Sequence, residues 1–559
     1  MPQPRVSVLA LLADGAHDYA RLAHPLLRAL EATQHFHVDV VTDPEAFSPG
    51  EHRVLLAASD HHLHAGQAAQ LTEHVRRGGG LVLLHGTLAT WVETGELAEL
   101  AGWAPIGPAP LTELVIRADA SHPLTQRLGP EITLTDELYL SEGPPSDAAV
   151  ILRTSWHFTD QVVAYARRVG AGRFVHIGLG HQAATYEDVT FQKLLHRALL
   201  FAAGRDAAEP VGVGLVGYGA IARAHATSIT ATSGLRLRGI CEVSTERREL
   251  AAREWAVPTH SSTEGLFADP EVGLVVVGTP PSAHADVVLA ALAAGKHVVC
   301  EKPFALRVQE VDWMMDSAAS RELVLTVFQS RRWDPDFIAM REVVRSGRIG
   351  EIFYMESFIG GYSHPCDFWH SHEPISGGTI YDWGSHYFDW VLQLFPGVVT
   401  SVSAVAHKRV WHDVTNSDQV RVDLMFEGGA QATFMQSDIA AALKPKWYLL
   451  GTRGAVVGEW REETLTTRGP AGELVEERLA PADSPARVKV MRPAEGASHE
   501  EVLVLGRRDE NAFYRNLADH LAWDEPLAVL PDEARRTVAV MEAAAHSIAR
   551  GGAQVEVRI

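Results

Sequence analysis

The feature that most constrains this 559-residue chain is a glycine pattern that directly follows an apolar strand. Residues 211–216 read Val-Gly-Val-Gly-Leu-Val and lead into Gly217-Tyr218-Gly219-Ala220-Ile221-Ala222. A strand, this G-x-G-x-x-G/A turn and a helix together form the fingerprint of a dinucleotide-binding unit. The first glycine permits the tight turn, the second leaves room for a pyrophosphate, and the helix offers unpaired N–H groups to the phosphate oxygens. The glycine motif alone is weak evidence for a dinucleotide site, so the neighbouring strands must be considered with it.

The context begins with a carboxylate at the end of the next strand. Leu235–Cys241 is a second alternating strand, and Glu242 follows Gly217 at about the interval expected of a ribose-binding acid. A carboxylate there accepts hydrogen bonds from ribose hydroxyls and repels the 2′-phosphate of NADP. The sequence therefore predicts NAD as the cofactor, although Arg247 and Arg248 are close enough to keep NADP open.

Two further strand ends fall at the same edge of the predicted sheet. Residues 274–278 end in Thr279-Pro280-Pro281, with His284 beyond, and His297–Cys300 ends in Glu301-Lys302-Pro303. In open α/β folds, ligands bind outside the carboxyl ends of the strands. The residues that we predict to bind the cofactor are Gly217, Tyr218, Gly219, Ala220, Ile221, Glu242, Thr279, Pro280, His284, Glu301 and Lys302.

The chain is too long for one hydrophobic core, and its pattern predicts three domains. Residues 1–205 alternate apolar strands with helical stretches, which predicts a parallel sheet with helices on both faces. After a polar linker at 204–210, residues 211–335 repeat that alternation as a Rossmann domain. The long alternating strands of residues 336–559 predict a mostly antiparallel sheet, and the family resemblance described below implies an α/β domain in which this sheet is large and open. The strands predicted for the first domain are 6–11, 38–41, 54–58, 81–85 and 173–178, and those for the third are 351–358, 399–410, 419–426, 430–436 and 447–450.

Charge and cysteine content narrow the cellular setting. A net charge of -21 argues against nucleic acid or an anionic membrane as a partner. The three cysteines lie far apart, in no metal-ligand or disulfide spacing. No apolar run has the length of a signal-peptide core or a membrane helix. We therefore expect a cytoplasmic protein with reduced thiols.

A candidate catalytic group lies in residues 377–390, whose spacing predicts a single helix. Asp382, His386 and Asp389 fall on one stripe of that helix. Alcohol oxidation needs a base near the departing hydroxyl proton, and histidine titrates in a suitable range. Lys302 can donate a hydrogen bond to the oxygen of the same hydroxyl. Because the chain has only seven lysines, a lysine at this strand end is less readily explained as an ordinary surface charge. The alternative for His386 alone is a core histidine held by a carboxylate.

Residues 279–303, TPPSAHADVVLAALAAGKHVVCEKP, closely resemble a hallmark of the Gfo/Idh/MocA oxidoreductases. The resemblance covers about residues 211–559 and implies an enzyme that acts on sugars, inositols or related polyols and forms dimers or tetramers. It implies that Lys302, Asp382 and His386 form the catalytic group and that Pro303 follows a cis peptide. It also implies substrate contacts for Arg332 and Trp333, and the residues just before the catalytic helix add Trp369 and His370 as candidate substrate contacts. Residues 369–373 could hold a metal by composition, but a sugar-contacting loop is preferred, so no metal is predicted there.

The first domain resembles ThuA-like (trehalose-utilisation) proteins, related in fold to flavodoxin-like class I glutamine amidotransferases. The matching pieces are residues 78–85, 135–139 and 170–181. Glutaminase chemistry through a thiolate is excluded because no cysteine precedes Cys241. His85, Glu137 and His181, with His157 as a possible companion, could form a sugar site or a metal site, or have structural roles.

These observations predict a hydride-transferring oxidoreductase whose ThuA-like domain acts in the same carbohydrate pathway. Two alternatives remain open at this stage: a glycosidase that uses transient oxidation by bound NAD, and a non-catalytic NAD(H) sensor. The linker and the complete motif set further predict that residues from about 208 to 559 fold and bind NADH without the first domain.

Overall fold

The structure is a computed structural model. The residues that it describes are 5–13, 15, 18–31, 35–103, 105–119, 121–129, 131–141, 143, 146–366, 368–462, 464–468, 474–478, 482–494 and 497–559. The chain divides into two compact units, Met1–Glu209 with Ala518–Pro526, and Pro210–Leu517 with Leu527–Ile559. The segment Ala518–Pro526 belongs to the first unit, which the predicted domain boundaries did not include, while the independent folding of the chain from about residue 208 stays a prediction.

The first unit is built on a sheet of nine strands among the described residues, in the order β2-β1-β3-β4-β11-β10-β9-β6-β7. The strands of this unit are β1 Val6–Ala13, β2 Phe36–Val41, β3 Val54–Ser59, β4 Gly80–Leu84, β5 Pro105–Pro108, β6 Thr112–Ala118, β7 Glu131–Asp136, β8 Tyr139–Ser141, β9 Ala149–Trp156, β10 Thr159–Val169 and β11 Gly172–Ile177. Strands β1 to β4 and β11 pair in parallel, as predicted. Strands β6, β7, β9 and β10 extend the sheet with antiparallel pairing, which the sequence reasoning did not foresee.

The parallel strands β1, β3 and β4 are almost entirely apolar because both faces of the sheet are covered there. Along β1, Val8, Ala10 and Leu12 pack in one hydrophobic cluster. The intervening Leu9 and Leu11 pack in a second cluster on the other face. The helices of this unit are α1 Ala23–Glu31, α2 Ala65–Arg76, α3 Thr87–Trp91, α4 Gly95–Ala101, α5 Ala183–Glu187 and α6 Val189–Ala202.

The second unit begins with a parallel sheet of six described strands in the order β14-β13-β12-β15-β16-β17. This is the order of a dinucleotide-binding fold, with the crevice beside the central strand. The strands are β12 Val211–Val216, β13 Leu235–Cys241, β14 Thr259–His260, β15 Leu274–Val277, β16 His297–Cys300 and β17 Leu325–Val327. The helices are α7 Ala220–Ala231, α8 Thr245–Glu254, α9 Thr263–Phe267, α10 His284–Ala293 and α11 Val308–Ala319.

The remainder of the second unit carries another sheet, with nine strands among the described residues. Its order is β27-β26-β23-β22-β18-β21-β20-β19-β28, and only β18 and β21 pair in parallel among the pairings described. The prediction of a mostly antiparallel sheet is confirmed. The strands are β18 Ile352–Gly360, β19 Val399–His407, β20 Gln419–Phe426, β21 Gln431–Ser437, β22 Trp447–Gly451, β23 Gly454–Glu459, β24 Thr464–Arg468, β25 Leu474–Arg478, β26 Arg487–Ala494, β27 Ala497–Val502 and β28 Val555–Glu556, of which β24 and β25 form a separate hairpin.

Six further α-helices are described after β17, and several of them pack on this sheet. They are α12 Pro335–Arg345, α13 Glu373–Ser376, α14 Thr379–Asp382, α15 Gly384–Leu394, α16 Ala512–Trp523 and α17 Pro531–Ala549. Short 3₁₀ turns occur at Ala20–Leu22, Pro44–Ala46, Pro281–Ala283, Ser330–Trp333 and Trp369–Ser371. Over the described residues, none of the helices combines the length and apolar character needed to cross a bilayer.

Candidate active site

The glycine turn between β12 and α7 has two glycines with different roles. Gly217 has φ +91°, and a Cβ there would lie 2.6 Å from the carbonyl oxygen of Gly278, so only glycine fits. A Cβ on Gly219 would meet no protein atom within 4 Å. Gly219 therefore leaves open space at the start of the helix, as close approach of a pyrophosphate requires. The hydroxyl of Thr279, at the end of the neighbouring strand, is buried and makes no hydrogen bond to the described residues. These residues fit a bound dinucleotide.

Glu242 is held rigidly at the end of β13. One of its carboxylate oxygens accepts from the Tyr218 N–H at 2.7 Å, and the other accepts from the Ser244 N–H at 2.7 Å. Arg248 donates to the Glu242 backbone carbonyl at 2.8 Å, which commits its guanidinium to the loop. Arg247 lies 3.3 Å from the Glu242 carboxylate. The negative charge thus sits beside the glycine turn, where the ribose-binding acid was predicted.

Three residues predicted to bind the cofactor turn their side chains inward. His284 is fully buried, and its ring nitrogens lie 2.9 Å from the carbonyl oxygens of Pro303 and Thr279. The Tyr218 hydroxyl is occupied by Glu254 and by Trp255 Nε1. The side chains of His284 and Tyr218 therefore have protein partners and shape the loops, and the cofactor binding predicted for these two residues stays a prediction. The third residue, Glu301, belongs to a buried chain of polar groups.

This chain of polar groups holds the backbone of Lys302 in place. The Tyr514 hydroxyl lies 2.7 Å from His225 Nδ1, and His225 Nε2 lies 3.0 Å from a Glu301 carboxylate oxygen. The other Glu301 oxygen accepts from the Lys302 N–H at 2.8 Å. Sequence reasoning predicted Glu301 as a cofactor-binding residue and missed His225 and Tyr514. His225 lies on α7 and Tyr514 on α16, and no spacing rule connects two residues so far apart in the sequence.

The predicted catalytic lysine and aspartate meet in space. Lys302 Nζ lies 3.1 Å from Asp382 Oδ1 and 3.4 Å from the Asp382 carbonyl oxygen. The Lys302–Pro303 peptide is cis. Both side chains are partly exposed, so the pair can be reached by a substrate. The geometry brings a cation and a carboxylate from distant parts of the chain to one point.

His386 lies at the start of α15 and is almost fully buried. Its Nδ1 makes no hydrogen bond to any residue that the structure describes. Burial lowers the pKa of His386 well below its usual value, and the positive charges of Lys302, Arg331 and Arg508 lower it further. The imidazole is therefore neutral at neutral pH and able to accept a proton.

The predicted single helix over 377–390 is interrupted. Helix α14 ends at Asp382, Trp383 intervenes, and α15 begins at Gly384. This break separates Asp382 from His386 and Asp389, which both lie on α15. Asp389 in turn forms a buried bidentate ion pair with Arg332. Arg332 is 4% exposed and also donates to Glu533. The substrate contact predicted for Arg332 is corrected, since its guanidinium is committed to internal carboxylates.

The other predicted substrate residues have different surroundings. The rings of Trp369 and His370 stack with centroids 3.7 Å apart. Burial lowers the pKa of His370, whose ring is also within range of the charges of Asp382 and Lys302. His370 is therefore placed near the lysine–aspartate pair. Trp333 packs edge-on against Phe513 at 6.1 Å between ring centroids.

Asp438 is a candidate group that sequence reasoning missed. It directly follows strand β21, and a carboxylate at a strand end was the available signal. Burial, and then the negative charges of Asp382 and Asp418, raise the pKa of its carboxyl to about 6. Asp438 therefore changes charge near neutral pH, within electrostatic range of the lysine–aspartate pair.

The candidate residues of the first unit also come together. The ligand atoms of His85, Glu137 and His181 all lie within 4.8 Å of one another. His157 is not part of this group, because it lies in the tight turn between β9 and β10 with φ +45°.

Family models and a relative decide the family. A model described as an oxidoreductase family with an NAD-binding Rossmann fold matches residues 211–329, and a GFO/IDH/MocA C-terminal domain model matches residues 337–457. YdgJ, an uncharacterized oxidoreductase of Escherichia coli K12, is 30% identical over 344 residues, which cover 60% of this chain and 94% of YdgJ. The chain belongs to the Gfo/Idh/MocA oxidoreductase family. The first unit of this Gfo/Idh/MocA oxidoreductase is a ThuA domain, since a trehalose-utilisation model matches residues 5–202.

Other relatives differ in how far they align with this Gfo/Idh/MocA oxidoreductase. An uncharacterized oxidoreductase of Schizosaccharomyces pombe is 36% identical, but the alignment covers only 38% of this chain and 59% of that protein. A scyllo-inositol 2-dehydrogenase (NADP(+)) of Bacillus subtilis is 26% identical over 62% of this chain and 95% of its own length. Among solved structures, an NAD-binding protein from Listeria innocua covers 62% of this chain and 97% of that chain, with 27% identity and a TM-score of 0.54.

Proposed function

We propose that the chain transfers a hydride between NAD and a hydroxyl-bearing carbon of a sugar, glycoside or polyol. The observation that carries the proposal is the contact of Lys302 Nζ with the Asp382 carboxylate at 3.1 Å, with neutral His386 four residues further along. This set contains a proton acceptor and a cation for an alcohol oxygen. A purely structural ion pair would not need, within electrostatic range, a buried neutral histidine whose Nδ1 has no hydrogen-bond partner among the described residues.

The residues divide the proton chemistry among them. When bound at the glycine turn and Glu242, NAD would supply the hydride chemistry. The Lys302 ammonium donates a hydrogen bond to the reacting oxygen and stabilises its developing negative charge. Asp382 holds that ammonium in place, and His386 accepts the hydroxyl proton during oxidation. The Glu301–His225–Tyr514 chain fixes the backbone from which Lys302 projects.

The proposed substrate class rests on two relatives whose names state their substrate. The Bacillus subtilis relative described above is named as a scyllo-inositol dehydrogenase, and an inositol 2-dehydrogenase of Rhizobium meliloti is 29% identical over 44% of this chain and 76% of that protein. Both reactions oxidise a ring hydroxyl of a polyol. The match of the first unit to a trehalose-utilisation model supports a carbohydrate as the substrate. We propose that this domain acts in the same carbohydrate pathway as the oxidoreductase.

A screen of inositols, monosaccharides, disaccharides and glycosides with NAD, followed by NADH absorbance, tests this function. The expected result is NADH formation in step with oxidised product. Release of free sugar without net NADH formation would instead identify a glycosidase that uses bound NAD. A chain that binds NADH but turns over no member of the panel would support a sensor.

We predict that NAD is preferred to NADP by at least about tenfold in catalytic efficiency, a difference of about 1.4 kcal/mol. The reason is the fixed Glu242 carboxylate beside the glycine turn, which would repel a 2′-phosphate. Steady-state kinetics with both cofactors measure the ratio. Glu242→Gln keeps the shape of the side chain but removes its charge, so it should lower the ratio of the NAD efficiency to the NADP efficiency. Glu249→Gln, a nearby change on α8, should leave this ratio unchanged. Equal or better efficiency with NADP in the parent would contradict the assignment.

We also predict that the acid limb of the kcat/KM profile for alcohol oxidation lies below pH 6.5. His386 is the base in its neutral form, and its lowered pKa keeps it neutral until the pH falls below the usual histidine value. Arg508→Gln removes one of the charges that lower this pKa, so the limb should move to higher pH. Arg507→Gln, at the exposed neighbouring position, is the control.

Asp438 titrates near the same range and must be separated from His386 in this measurement. The variant Asp438→Asn removes its titration. An acid limb that persists in this variant and still responds to Arg508→Gln belongs to His386. A limb that disappears with Asp438→Asn would assign the pH dependence to that carboxylate.

A further inference from the structure

A histidine–glutamate–histidine group in the first unit has no role in the chemistry described above. His85 Nε2 lies 3.0 Å from Glu137 Oε2, and His181 Nδ1 lies 3.8 Å from the same oxygen. In the part of the chain that the structure describes, this is the group whose three ligand atoms are mutually within 4.8 Å. Around a tetrahedral zinc ion, ligand atoms are about 3.3 Å apart, so the observed distances bracket that value.

The backbone on both sides of the group is fixed by one buried carboxylate. Asp136 accepts hydrogen bonds from the N–H groups of Glu137, Gly180 and His181, at 2.8, 2.8 and 3.1 Å. It also accepts from the Thr185 hydroxyl at 2.7 Å. Two of the three candidate ligands therefore belong to residues whose backbones are held by the same side chain. Such support is what keeps metal ligands at fixed separations.

His85 is positioned by a conformation that non-glycine residues rarely adopt. It follows strand β4 with φ +49°, in the left-handed region. Its side chain is fully buried, and the ring of Tyr139 packs edge-on against it at 5.0 Å between centroids. A strained residue at a strand end, retained in a well-packed core, points to a functional rather than a packing requirement.

The group is closed on one side and open on the other. The His85 side chain is 0% exposed, whereas those of Glu137 and His181 are 19% and 24% exposed. An ion held by these three residues would therefore have an accessible side for a further ligand. Two histidines and one glutamate with an open fourth position form a ligand set of catalytic zinc sites.

We infer that His85, Glu137 and His181 bind one divalent transition-metal ion of the zinc class, with the fourth position open to water or a carbohydrate hydroxyl. Imidazole and carboxylate ligands suit zinc and its neighbours, whereas calcium and magnesium prefer oxygen ligands alone. The site is separate from the hydride-transfer site and stands whether or not the proposed oxidation is correct.

Zinc binding by the untagged full-length chain tests the inference. The protein is stripped with a chelator, and zinc affinity and stoichiometry are measured by titration calorimetry and by metal analysis after dialysis. We expect one tight zinc ion per chain. Glu137→Gln and His181→Ala should each weaken this binding by at least about a hundredfold, because each removes a direct ligand from a three-residue set. Cobalt in the parent should give the intense visible absorption of a tetrahedral site.

The control is another histidine–carboxylate pair of the same unit. His64 and Glu45 lie 2.9 Å apart and are mostly exposed, without a third ligand described beside them. His64→Ala should leave the tight site unchanged. Circular dichroism identifies any variant that fails to fold, and the second ligand variant then decides. The inference is overturned if the folded parent retains no zinc, or if a folded ligand variant binds zinc as tightly as the parent.

Discussion

Replacing His386 with asparagine, or Lys302 with methionine, is expected to slow hydride transfer by about a hundredfold or more while NADH binding stays largely intact. The asparagine cannot accept the hydroxyl proton, and the methionine fills the lysine's space without its charge. Neither side chain forms the glycine turn or the Glu242 site, so the cofactor contacts predicted there are kept. Stopped-flow measurement of the chemical step and fluorescence titration of NADH report the two effects separately.

Two further variants give this measurement its controls. Lys444→Met removes a half-exposed lysine that pairs with Glu356 and should leave the rate unchanged. Gly219→Val should give the opposite pattern, with weakened NADH binding, because its side chain would enter the open space intended for the pyrophosphate. The fold should tolerate that valine better than one at Gly217, where a Cβ meets backbone atoms. Turnover at the parental rate by both His386→Asn and Lys302→Met would overturn the assignment.

The sequence was most informative where structure is determined locally. The strand, turn and helix around Gly217 could be predicted because the steric demands of a positive φ and of a close helix–strand contact act within a few residues. The long alternating strands of the final sheet were equally visible, since their side chains alternate between two faces. The lysine–aspartate contact was different, because no spacing rule links residues 302 and 382. Only the family resemblance predicted that pair.

The errors arose where a side chain's partner lies far away in sequence. Helical spacing placed Asp389 with His386, but a buried ion pair with Arg332 is the stronger constraint on that carboxylate. Likewise, strands β9 and β10 were missed because polar and apolar residues occur at both their buried and their exposed positions, so neither strand shows a clear alternation. The pairing with neighbouring strands that stabilises them cannot be seen in the local sequence. The return of Ala518–Pro526 to the first unit depends on charges more than 300 residues apart in sequence.

Those charges form a buried network within the first unit. Asp519 is fully buried, and its carboxylate lies 2.5 Å from Arg127 Nε and 2.9 Å from both Lys193 Nζ and Arg197 Nη2. Glu525 contacts Arg197 Nε at 2.7 Å. Removing one partner from such a network leaves an uncompensated charge in a poorly solvated place. The carboxylates come from the C-terminal part of the chain and the cations from the N-terminal part.

We therefore predict that Asp519→Asn lowers the free energy of unfolding of the first unit by about 3–5 kcal/mol, because it leaves Arg127, Lys193 and Arg197 with Glu525 as the remaining carboxylate of this network. Arg168→Met, which removes a largely exposed ion pair with Asp206, should cost about 1 kcal/mol at most. Urea denaturation of the full chain, followed by tryptophan fluorescence, measures both. Similar small losses in the two variants would show that the network is solvated or has other compensation.

The same network predicts the behaviour of a fragment from residue 210 to 559. That fragment retains Asp519 and Glu525 but loses Arg127, Lys193 and Arg197, so we expect it to be far less soluble than the whole chain. The double variant Asp519→Asn and Glu525→Gln removes the uncompensated charges and should recover part of the soluble, NADH-binding protein. Trp523, which packs in the core of the first unit, would still be uncovered and should keep the recovery incomplete. A soluble, NADH-binding fragment without these changes would show that the network does not tie the C-terminal segment to the first unit.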